Sequence, residues 1–219
     1  MSGKKHIVSR CISIILVVLL LVIAIYPVLW LILSSLKTQN ELTLNSAFSL
    51  PGSLNFDNYV EAWTTGNMGS SFVNSVICTA GSMLLIVVIA VPFSFALVKM
   101  RWKLRKRINS YVLMGMMVPV QVALIPLFSM YNTMGFTNSR IGLILIYTAY
   151  SLPLSVTLLT GFFESVPNEL IEAAVIDGCS IYQVLGKIVF PLMTNSIMTV
   201  LTLQFMSSWN DLIFSQTMI

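Results

Sequence analysis

Long runs of apolar residues, separated by short polar segments, set the pattern of this chain. A helix that crosses a bilayer needs about 20 mainly apolar residues in succession. Five runs approach or exceed this length, at residues 11–33, 75–98, 111–130, 141–163 and 188–206. The runs are continuous, whereas membrane β-strands alternate between apolar and polar positions. The pattern therefore predicts an all-α integral membrane protein, a polytopic helix bundle over residues 11–219 with five visible spans.

The composition supports lipid as the surrounding solvent. Hydrophobic residues make up 57% of the chain and charged residues only 9%, against roughly 25% charged residues in soluble domains. Cys11, Cys78 and Cys179 are far apart in or beside apolar segments, so they indicate neither a disulfide framework nor a metal site. His6 is the single histidine. We therefore expect no catalytic residue and no metal centre built on histidine.

The first apolar run follows a basic start, Lys4, Lys5 and Arg10. Cleaved signal peptides begin in the same way, but their apolar core is shorter and a site of small residues follows it. This run is too long for such a core, and no such site follows. We therefore expect residues 1–10 to be retained ahead of a true membrane span.

The positions of the basic residues predict the orientation. Lys and Arg in short loops collect on the cytoplasmic side of a membrane. A dense block follows the second span: Lys99, Arg101, Lys103, Arg105, Lys106 and Arg107. If the first two spans cross, this block and the N-terminus share one side, and among the 12 basic residues only Lys37 and Arg140 lie on the other. We expect a multi-pass protein of the plasma (inner) membrane with residues 1–10 in the cytoplasm.

A basic block can also bind nucleic acid. Because this one lies between two spans, we interpret it as a topology anchor that meets lipid phosphates, and we expect no nucleic-acid partner.

The loop at residues 164–187 differs from the other cytoplasmic segments because it is acidic. It carries Glu164, Glu169, Glu172 and Asp177 against one base, Lys187. The local signals predict two short helices around a turn. Pro167 suits a helix start, with Ser165 or Asn168 as the N-cap. The helix would run over residues 169–176 and end at Gly178, which suits a left-handed residue. Ser180 and Gln183 have capping-box spacing for a second helix that runs into Pro191.

The first of these helices has features of a docking surface. Ala173 and Ala174 leave a smooth face that another backbone could approach closely. An amphipathic helix lying on the lipid surface is the alternative, but such helices usually carry Lys and Arg. The acids of this loop would be repelled by an anionic leaflet, so a protein partner is favoured.

Fixed spacings in this loop resemble a known signature. Glu172-Ala173-Ala174 is followed at the appropriate distances by Gly178, Ile188 and Pro191, as in the cytoplasmic EAA loop of ABC-importer permease subunits. One position departs from the pattern, because Phe190 stands where that family has leucine. Other segments resemble the carbohydrate-uptake, maltose-type branch: Asn58-Tyr59-Val60, Asn74-Ser75, Pro126-Leu127-Phe128, Tyr131-Asn132 with Gly135, Gly161-Phe162-Phe163 and Trp209-Asn210-Asp211.

The resemblance implies a transmembrane permease subunit of a binding-protein-dependent ABC importer for a sugar or oligosaccharide. It further implies that ATP and Mg are bound and used by separate cytoplasmic ATPase subunits, so that this chain is not an enzyme and holds no cofactor. The other implied partners are a second homologous permease subunit and an extracytoplasmic sugar-binding protein, which residues 34–74 could touch. The implied ATPase-coupling residues are Glu169, Glu172, Ala173, Ala174, Asp177, Gly178, Ile188 and Pro191.

Such permeases usually have six spans, and here the sixth is apparently missing, either because the chain is incomplete or because it lacks that helix. The alternative function is a secondary transporter of a small solute. No charged residue lies inside any predicted span, and a proton or ion relay usually needs one, so this alternative is disfavoured.

Polar residues inside the spans are candidates for a substrate path. Asn195, Thr199 and Thr202 fall at i, i+4 and i+7 on one helix face, and Gln204 lies near the outer end. These residues could line a hydrated sugar path or serve as hydrogen-bonding contacts between helices. Gln121, between Pro119 and Pro126, is a further candidate, because a broken helix at membrane depth is tolerated beside a cavity or within protein.

Overall fold

The computed structural model describes residues 2–46 and 48–218, with side chains for residue 10 and for residues 12–46 and 48–218. The predictions that concern the side chains of Lys4, Lys5, His6 and Cys11 lie outside the described residues. Throughout the described part of the chain, the regular elements are helices. The chain divides into two compact units, one up to Ser71 and one from Phe72 onward.

The first unit holds one long apolar helix followed by a folded loop. Its helices are α1 (Ser2–Ser35), α2 (Gln39–Leu44) and α3 (Asp57–Thr64). The apolar side chains of α1 are exposed along its length, for instance Ile15 at 65%, as expected for a helix in contact with lipid. The side-chain amide of Asn58 stabilises the loop by donating to the carbonyls of Ser35 (2.9 Å) and Lys37 (2.8 Å).

The second unit contains two helices of 25 residues or more and a series of shorter helices. The elements are α4 (Met68–Lys99), α5 (Arg105–Gly115), α6 (Val120–Met134), α7 (Arg140–Glu164), α8 (Asn168–Ile176), α9 (Ile181–Gln183), a π-helix (Val184–Val189), α10 (Phe190–Leu192), α11 (Thr194–Trp209) and α12 (Ile213–Met218). The first residues of α4, up to Ser71, belong to the first unit.

Two of the apolar runs form bent helix pairs. The axes of α5 and α6 differ by 96°, and the segment Ile181–Leu192 meets α11 at 77°. The first break lies just before Pro119, which occupies the N-cap position of α6; proline disfavours a helical residue before it. Among the described residues, three helices are long and apolar enough to cross a membrane, or up to five if each bent pair is one span. The all-α membrane fold is confirmed.

The main core joins α4, α7 and α11 to the loop that follows α7. It contains Phe95 of α4, Phe163 of α7 and Ile197 of α11, together with Ala174 of α8 and Val184 of the π-helix. The rings of Phe95 and Phe163 meet edge to face with centroids 5.9 Å apart. Because α8 and the π-helix share this core, the acidic loop is packed onto the helix bundle.

Candidate functional site

Helix α8 is short, and identifiable residues mark both of its ends. It starts at Asn168 with Pro167 in the N-cap position and no side-chain cap, so the prediction that Ser165 or Asn168 caps it is wrong. The hydroxyl of Ser165 instead donates to the Phe162 carbonyl at 2.7 Å, and Asn168 already lies inside the helix. Gly178 follows the C-terminus with φ of 86°, which confirms the predicted left-handed turn.

A second capped turn follows α8. The hydroxyl of Ser180 accepts from the Gln183 N–H at 3.4 Å, and the Gln183 side-chain oxygen accepts from the Ser180 N–H at 2.8 Å. This reciprocal pair confirms the predicted capping box. The helix then widens into the π-helix, which contains half-buried Ile188, and Pro191 lies in α10 beyond it. The chain bends just past α10, so α8 is connected to α11 through irregular helical geometry.

The two alanines of α8 point in different directions. Ala174 is 5% exposed and packs in the chain's own core, whereas Ala173 is exposed. The prediction of a continuous two-alanine surface for a partner is therefore wrong for Ala174. The physical reason is that the side of α8 that carries Ala174 packs into the core. Ala173 lies about 100° further round the helix, outside that contact.

The outward surface of α8 and the turn after it is both acidic and apolar. Glu169, Glu172 and Asp177 are exposed, and none of their carboxylates makes a hydrogen bond within the described part of the chain. Ile176 is 84% exposed and Tyr182 is 83% exposed. We call the surface formed by Glu169, Glu172, Asp177, Ile176 and Tyr182 the docking surface. Sequence reasoning missed Ile176 and Tyr182; their apolar character in the acidic loop was the available signal.

Lys99, which the sequence placed only in the basic block, contacts the start of α8. Its ammonium group donates to the Val166 carbonyl at 2.6 Å and to the side-chain oxygen of Asn168 at 2.9 Å. The end of α4 is thereby connected to the link between α7 and α8.

A cavity of about 340 Å³ lies among α6, α7, α11 and α12. Two of the predicted substrate-path residues, Gln121 and Gln204, line it. The other polar lining residues are Tyr147, Tyr150, Ser151, Ser155, Ser207, Ser208 and Asp211. Two sequence features could have predicted the cavity. Tyr147 and Tyr150 are one turn apart in α7, and Asp211 is an acid that closely follows an apolar run.

Gln204 is the most constrained polar residue of this cavity. It is 3% exposed, and its side-chain nitrogen donates to the hydroxyl of Ser82 on α4 at 3.1 Å. Its side-chain oxygen is buried and has no hydrogen-bond partner among the described residues. A buried acceptor left unpaired costs about 1–3 kcal/mol, so a hydroxyl or water that reaches the cavity would gain by donating to it.

The remaining predicted path residues lie elsewhere on α11. Asn195, Thr199 and Thr202 are exposed on this chain and do not line the cavity. The hydroxyls of Thr199 and Thr202 donate to carbonyls one turn earlier, at Asn195 (3.0 Å) and Met198 (2.8 Å). Gln204 lies on another side of the helix from Thr199, since five positions turn the helix by about 140° beyond one full turn.

Comparison with known proteins identifies the family. The model of one family, described as binding-protein-dependent transport system inner membrane component, matches residues 87–219. The chain belongs to this family. The resemblance drawn from Glu172, Gly178, Ile188 and Pro191 is therefore confirmed at the level of the family, and the chain is a multi-pass membrane protein.

Individual members of the permease family are similar over most of this chain. The diacetylchitobiose uptake system permease protein NgcG of Streptomyces coelicolor is 36% identical over 90% of this chain and 65% of its own length. The melibiose/raffinose/stachyose import permease protein MelC of Bacillus subtilis is 33% identical over 86% of this chain and 68% of its own length. The chain thus spans about two thirds of the length of these curated relatives.

A solved structure shares the fold. It is the crystal structure of a bacterial ABC transporter involved in the import of the acidic polysaccharide alginate. One of its chains matches with a TM-score of 0.85 and 22% identity, covering 97% of this chain and 74% of that chain. At this identity the likeness establishes the fold of an ABC-importer permease for the described helices.

Proposed function

We propose that this chain is a transmembrane permease subunit of a binding-protein-dependent, ATP-driven importer of sugars or oligosaccharides. ATP and Mg are used on separate cytoplasmic ATPase subunits, so the chain itself is not an enzyme and holds no cofactor. Membership of the family supports the transport role. The names of the relatives, which specify uptake of diacetylchitobiose and of melibiose, raffinose and stachyose, support the substrate class.

The observation that carries the coupling role is the docking surface. Ile176 and Tyr182 are more than four-fifths exposed, and the exposed carboxylates of the docking surface make no hydrogen bond to the residues that the structure describes. Exposed large apolar residues grouped with polar ones are typical of a protein interface. Ala174 fixes the opposite side of α8 in the core, so a partner can press on α8 without detaching it. We assign this surface to the ATPase.

Motion of α8 would be passed to the cavity along the chain. The turn at Gly178 leads through α9 and the π-helix to α11, which carries Gln204. When two ATPases close around ATP, the displacement of α8 changes the packing of α11 against α4 and α7. A shift from 1:99 to 99:1 between the two states needs a difference of about 5.5 kcal/mol, which ATP binding has to supply.

The cavity that holds Gln121 and Gln204 is proposed as part of the sugar path. Its hydroxyl, amide and carboxylate groups offer the hydrogen bonds that sugar hydroxyls exchange. The unpaired oxygen of Gln204 supports this assignment most directly. Asn195, Thr199 and Thr202, which are exposed on this chain, are assigned instead to contact with the second permease subunit or with lipid.

The proposed orientation determines on which side of the membrane each remaining partner would lie. The basic residues favour a cytoplasmic N-terminus, which places residues 164–187 in the cytoplasm with the ATPase. The loop at residues 34–74 then lies outside, where it would meet the sugar-binding protein.

Cross-linking tests the proposed function. Cys11, Cys78 and Cys179 are replaced by Ser, and single cysteines are then introduced at Ala173 or Asp177, both exposed. In membranes that contain the cognate ATPase with a single cysteine on its permease-facing surface, we expect a cross-link from both positions, as a disulfide after addition of an oxidant or through a bismaleimide. A cysteine at Ser110 of α5 is the control and should give none. Normal uptake by Glu172→Lys, together with no cross-link from positions 173 and 177, would overturn the coupling assignment.

A further inference from the structure

Resting on the proposed coupling role of α8, we propose that Lys99 is a positioning residue that fixes the start of α8 to the end of α4. Movement that the ATPase imposes on α8 is then passed directly to α4, in parallel with the route through α11. The inference gives one residue of the basic block a role in coupling, beyond that of a topology anchor.

The geometry of the ammonium group supports this role. Lys99 is the last residue of α4, and its two acceptors lie 67 and 69 positions further along the chain. One acceptor, the Val166 carbonyl, belongs to the link between α7 and α8, and the other, the Asn168 side chain, belongs to the first turn of α8. One side chain therefore contacts both parts of the junction.

Charge strengthens the attachment. The carboxylates of Glu164, at the end of α7, and Glu169, in the first turn of α8, attract the Lys99 ammonium electrostatically, but by less than its partial burial disfavours the charge. Hydrogen bonds from a charged donor are shorter and roughly twice as strong as neutral ones. The ammonium is therefore held by two hydrogen bonds, with acidic groups nearby on both elements that it joins.

Apolar packing beside Lys99 makes the junction stiff. Phe95 and Leu97, in the last turns of α4, share a core with Phe163 and Val166. A polar clamp placed against packed side chains transmits displacement, because a close-packed interior is only slightly compressible.

The rest of the basic block behaves differently. Arg105 donates to the Val98 carbonyl at 3.4 Å and the Trp102 indole donates to the Ala96 carbonyl at 3.1 Å, so both close the end of α4 itself. Lys103 is exposed and makes no hydrogen bond within the described part of the chain. Lys103 is therefore a matched control for Lys99, with the same side chain in the loop that follows α4.

The test follows α4 at the end far from Lys99. A single cysteine replaces Val76, which is 42% exposed, in a full chain without Cys11, Cys78 and Cys179, assembled with its ATPase and partner permease. Its rate of labelling by N-ethylmaleimide is measured with and without ATP and orthovanadate. We expect trapping to change the rate in the parent and in Lys103→Met, and Lys99→Met to reduce that change roughly tenfold, as loss of a charge-assisted hydrogen bond predicts.

Two further variants separate positioning from a merely structural effect. Lys99→Arg keeps the charge and the donors, and should restore most of the ATP-dependent change. Asn168→Ala should weaken the response by itself but add little to Lys99→Met, because both remove the same contact. If Lys99→Met does not reach the membrane, the response of Asn168→Ala decides: a reduced change supports the role and a parental change overturns it.

The outcomes distinguish this inference from the proposed function. A cross-link from position 173 to the ATPase, together with a parental labelling response in Lys99→Met, overturns the role of Lys99 and leaves the coupling assignment intact. Absence of a cross-link from positions 173 and 177, together with normal uptake by Glu172→Lys, overturns both. A cross-link that persists in Lys99→Met while the response at position 76 is lost supports the role of Lys99.

Discussion

The hydroxyl of Tyr147 donates a hydrogen bond of 3.0 Å to the carboxylate of Asp211, which joins α7 to the link between α11 and α12. The same carboxylate accepts from the backbone N–H groups of Ser215 at 3.0 Å and Phe214 at 3.4 Å. Tyr147, Asp211 and Phe214 all line the cavity. One acidic side chain therefore orders both a wall of the cavity and the first turn of α12.

Removal of this carboxylate should loosen the wall. We expect Asp211→Ala to lower stability by about 1–3 kcal/mol, because the Tyr147 hydroxyl and two backbone N–H groups lose their acceptor. Asp211→Asn keeps one acceptor oxygen and should cost less, as should Tyr147→Phe. Thermal unfolding of the purified complex in detergent measures the order. An Asp211→Ala protein as stable as the parent would contradict the structural role.

Gln204 and Ser82 should separate substrate binding from helix packing. Gln204→Met removes the unpaired oxygen from the cavity, and the half-saturation concentration for the transported sugar should rise about tenfold, as one lost hydrogen bond predicts. Ser82→Ala keeps the Gln204 oxygen and removes the partner of the Gln204 nitrogen, together with the hydrogen bond from Ser82 to the Thr79 carbonyl. It should lower stability, by about 1 kcal/mol, with a smaller effect on half-saturation. Uptake kinetics are compared at equal membrane abundance; an unchanged half-saturation in Gln204→Met would exclude contact with sugar.

The contrast between Gly178 and Ala174 shows which features the sequence can predict. The left-handed turn at Gly178 and the capping box at Ser180 could be predicted from the sequence, because each depends on residues within a few positions of each other. The sequence did not predict which side of α8 is buried, because this depends on the core that α4, α7 and the π-helix form around Ala174. The predicted cap at Ser165 is wrong because Pro167 occupies the N-cap position and determines where α8 begins.

The same reasoning applies to the cavity and to Lys99. A helical period correctly places Asn195, Thr199 and Thr202 on one face, but it does not say whether that face meets a cavity or the surface. Gln204 lies on a different side of α11 from these three residues. That side lines the cavity because α11 packs it against α4 and α7. Lys99 contacts residues far away in sequence, and such pairing follows from tertiary packing that one sequence does not reveal.

Acid should weaken the folded loop of the first unit. The Glu41 carboxylate accepts from the N–H groups of Thr38 at 3.0 Å and Gly52 at 2.9 Å, and these bonds, led by that from Thr38, hold its pKa below the ordinary value of 4.5. Because the folded pKa is lowered, the stabilisation is present above 4.5 and is lost as the pH falls through the lowered value.

Limited proteolysis of residues 36–56 at falling pH checks this expectation. Cleavage should increase below pH 4.5 in the parent, and Glu41→Gln should cleave more readily at neutral pH with less dependence on acid. Glu61→Gln is the control, since Glu61 is exposed and its side chain makes no hydrogen bond among the described residues. Equal pH profiles for the parent and Glu41→Gln would show that this carboxylate does not order the loop.

The basic residues predict that the loop containing Asn58 lies outside and that Lys103 lies in the cytoplasm. Asn58 itself holds the loop together, so exposed Ser53 is the better position for a cysteine. On intact cells an impermeant maleimide should label position 53 and not position 103. Lysed cells should be labelled at both positions, as the control for reactivity. Labelling of position 103 alone on intact cells would reverse the proposed orientation.

Ile176 and Tyr182 should dominate capture of the ATPase, because large exposed side chains at the centre of an interface often contribute most of its binding energy. We expect Tyr182→Ser and Ile176→Ser each to weaken co-purification of the ATPase, by roughly tenfold or more, with normal abundance in the membrane. Tyr111→Ser is the matched control, since Tyr111 on α5 is also largely exposed, at 77%. If α8 were only a lipid-surface helix, Tyr182→Ser would lower membrane abundance and leave the yield of ATPase per permease unchanged. Loss of the ATPase in Tyr182→Ser but not in Tyr111→Ser would support the docking surface, and equal yields in both variants would refute it.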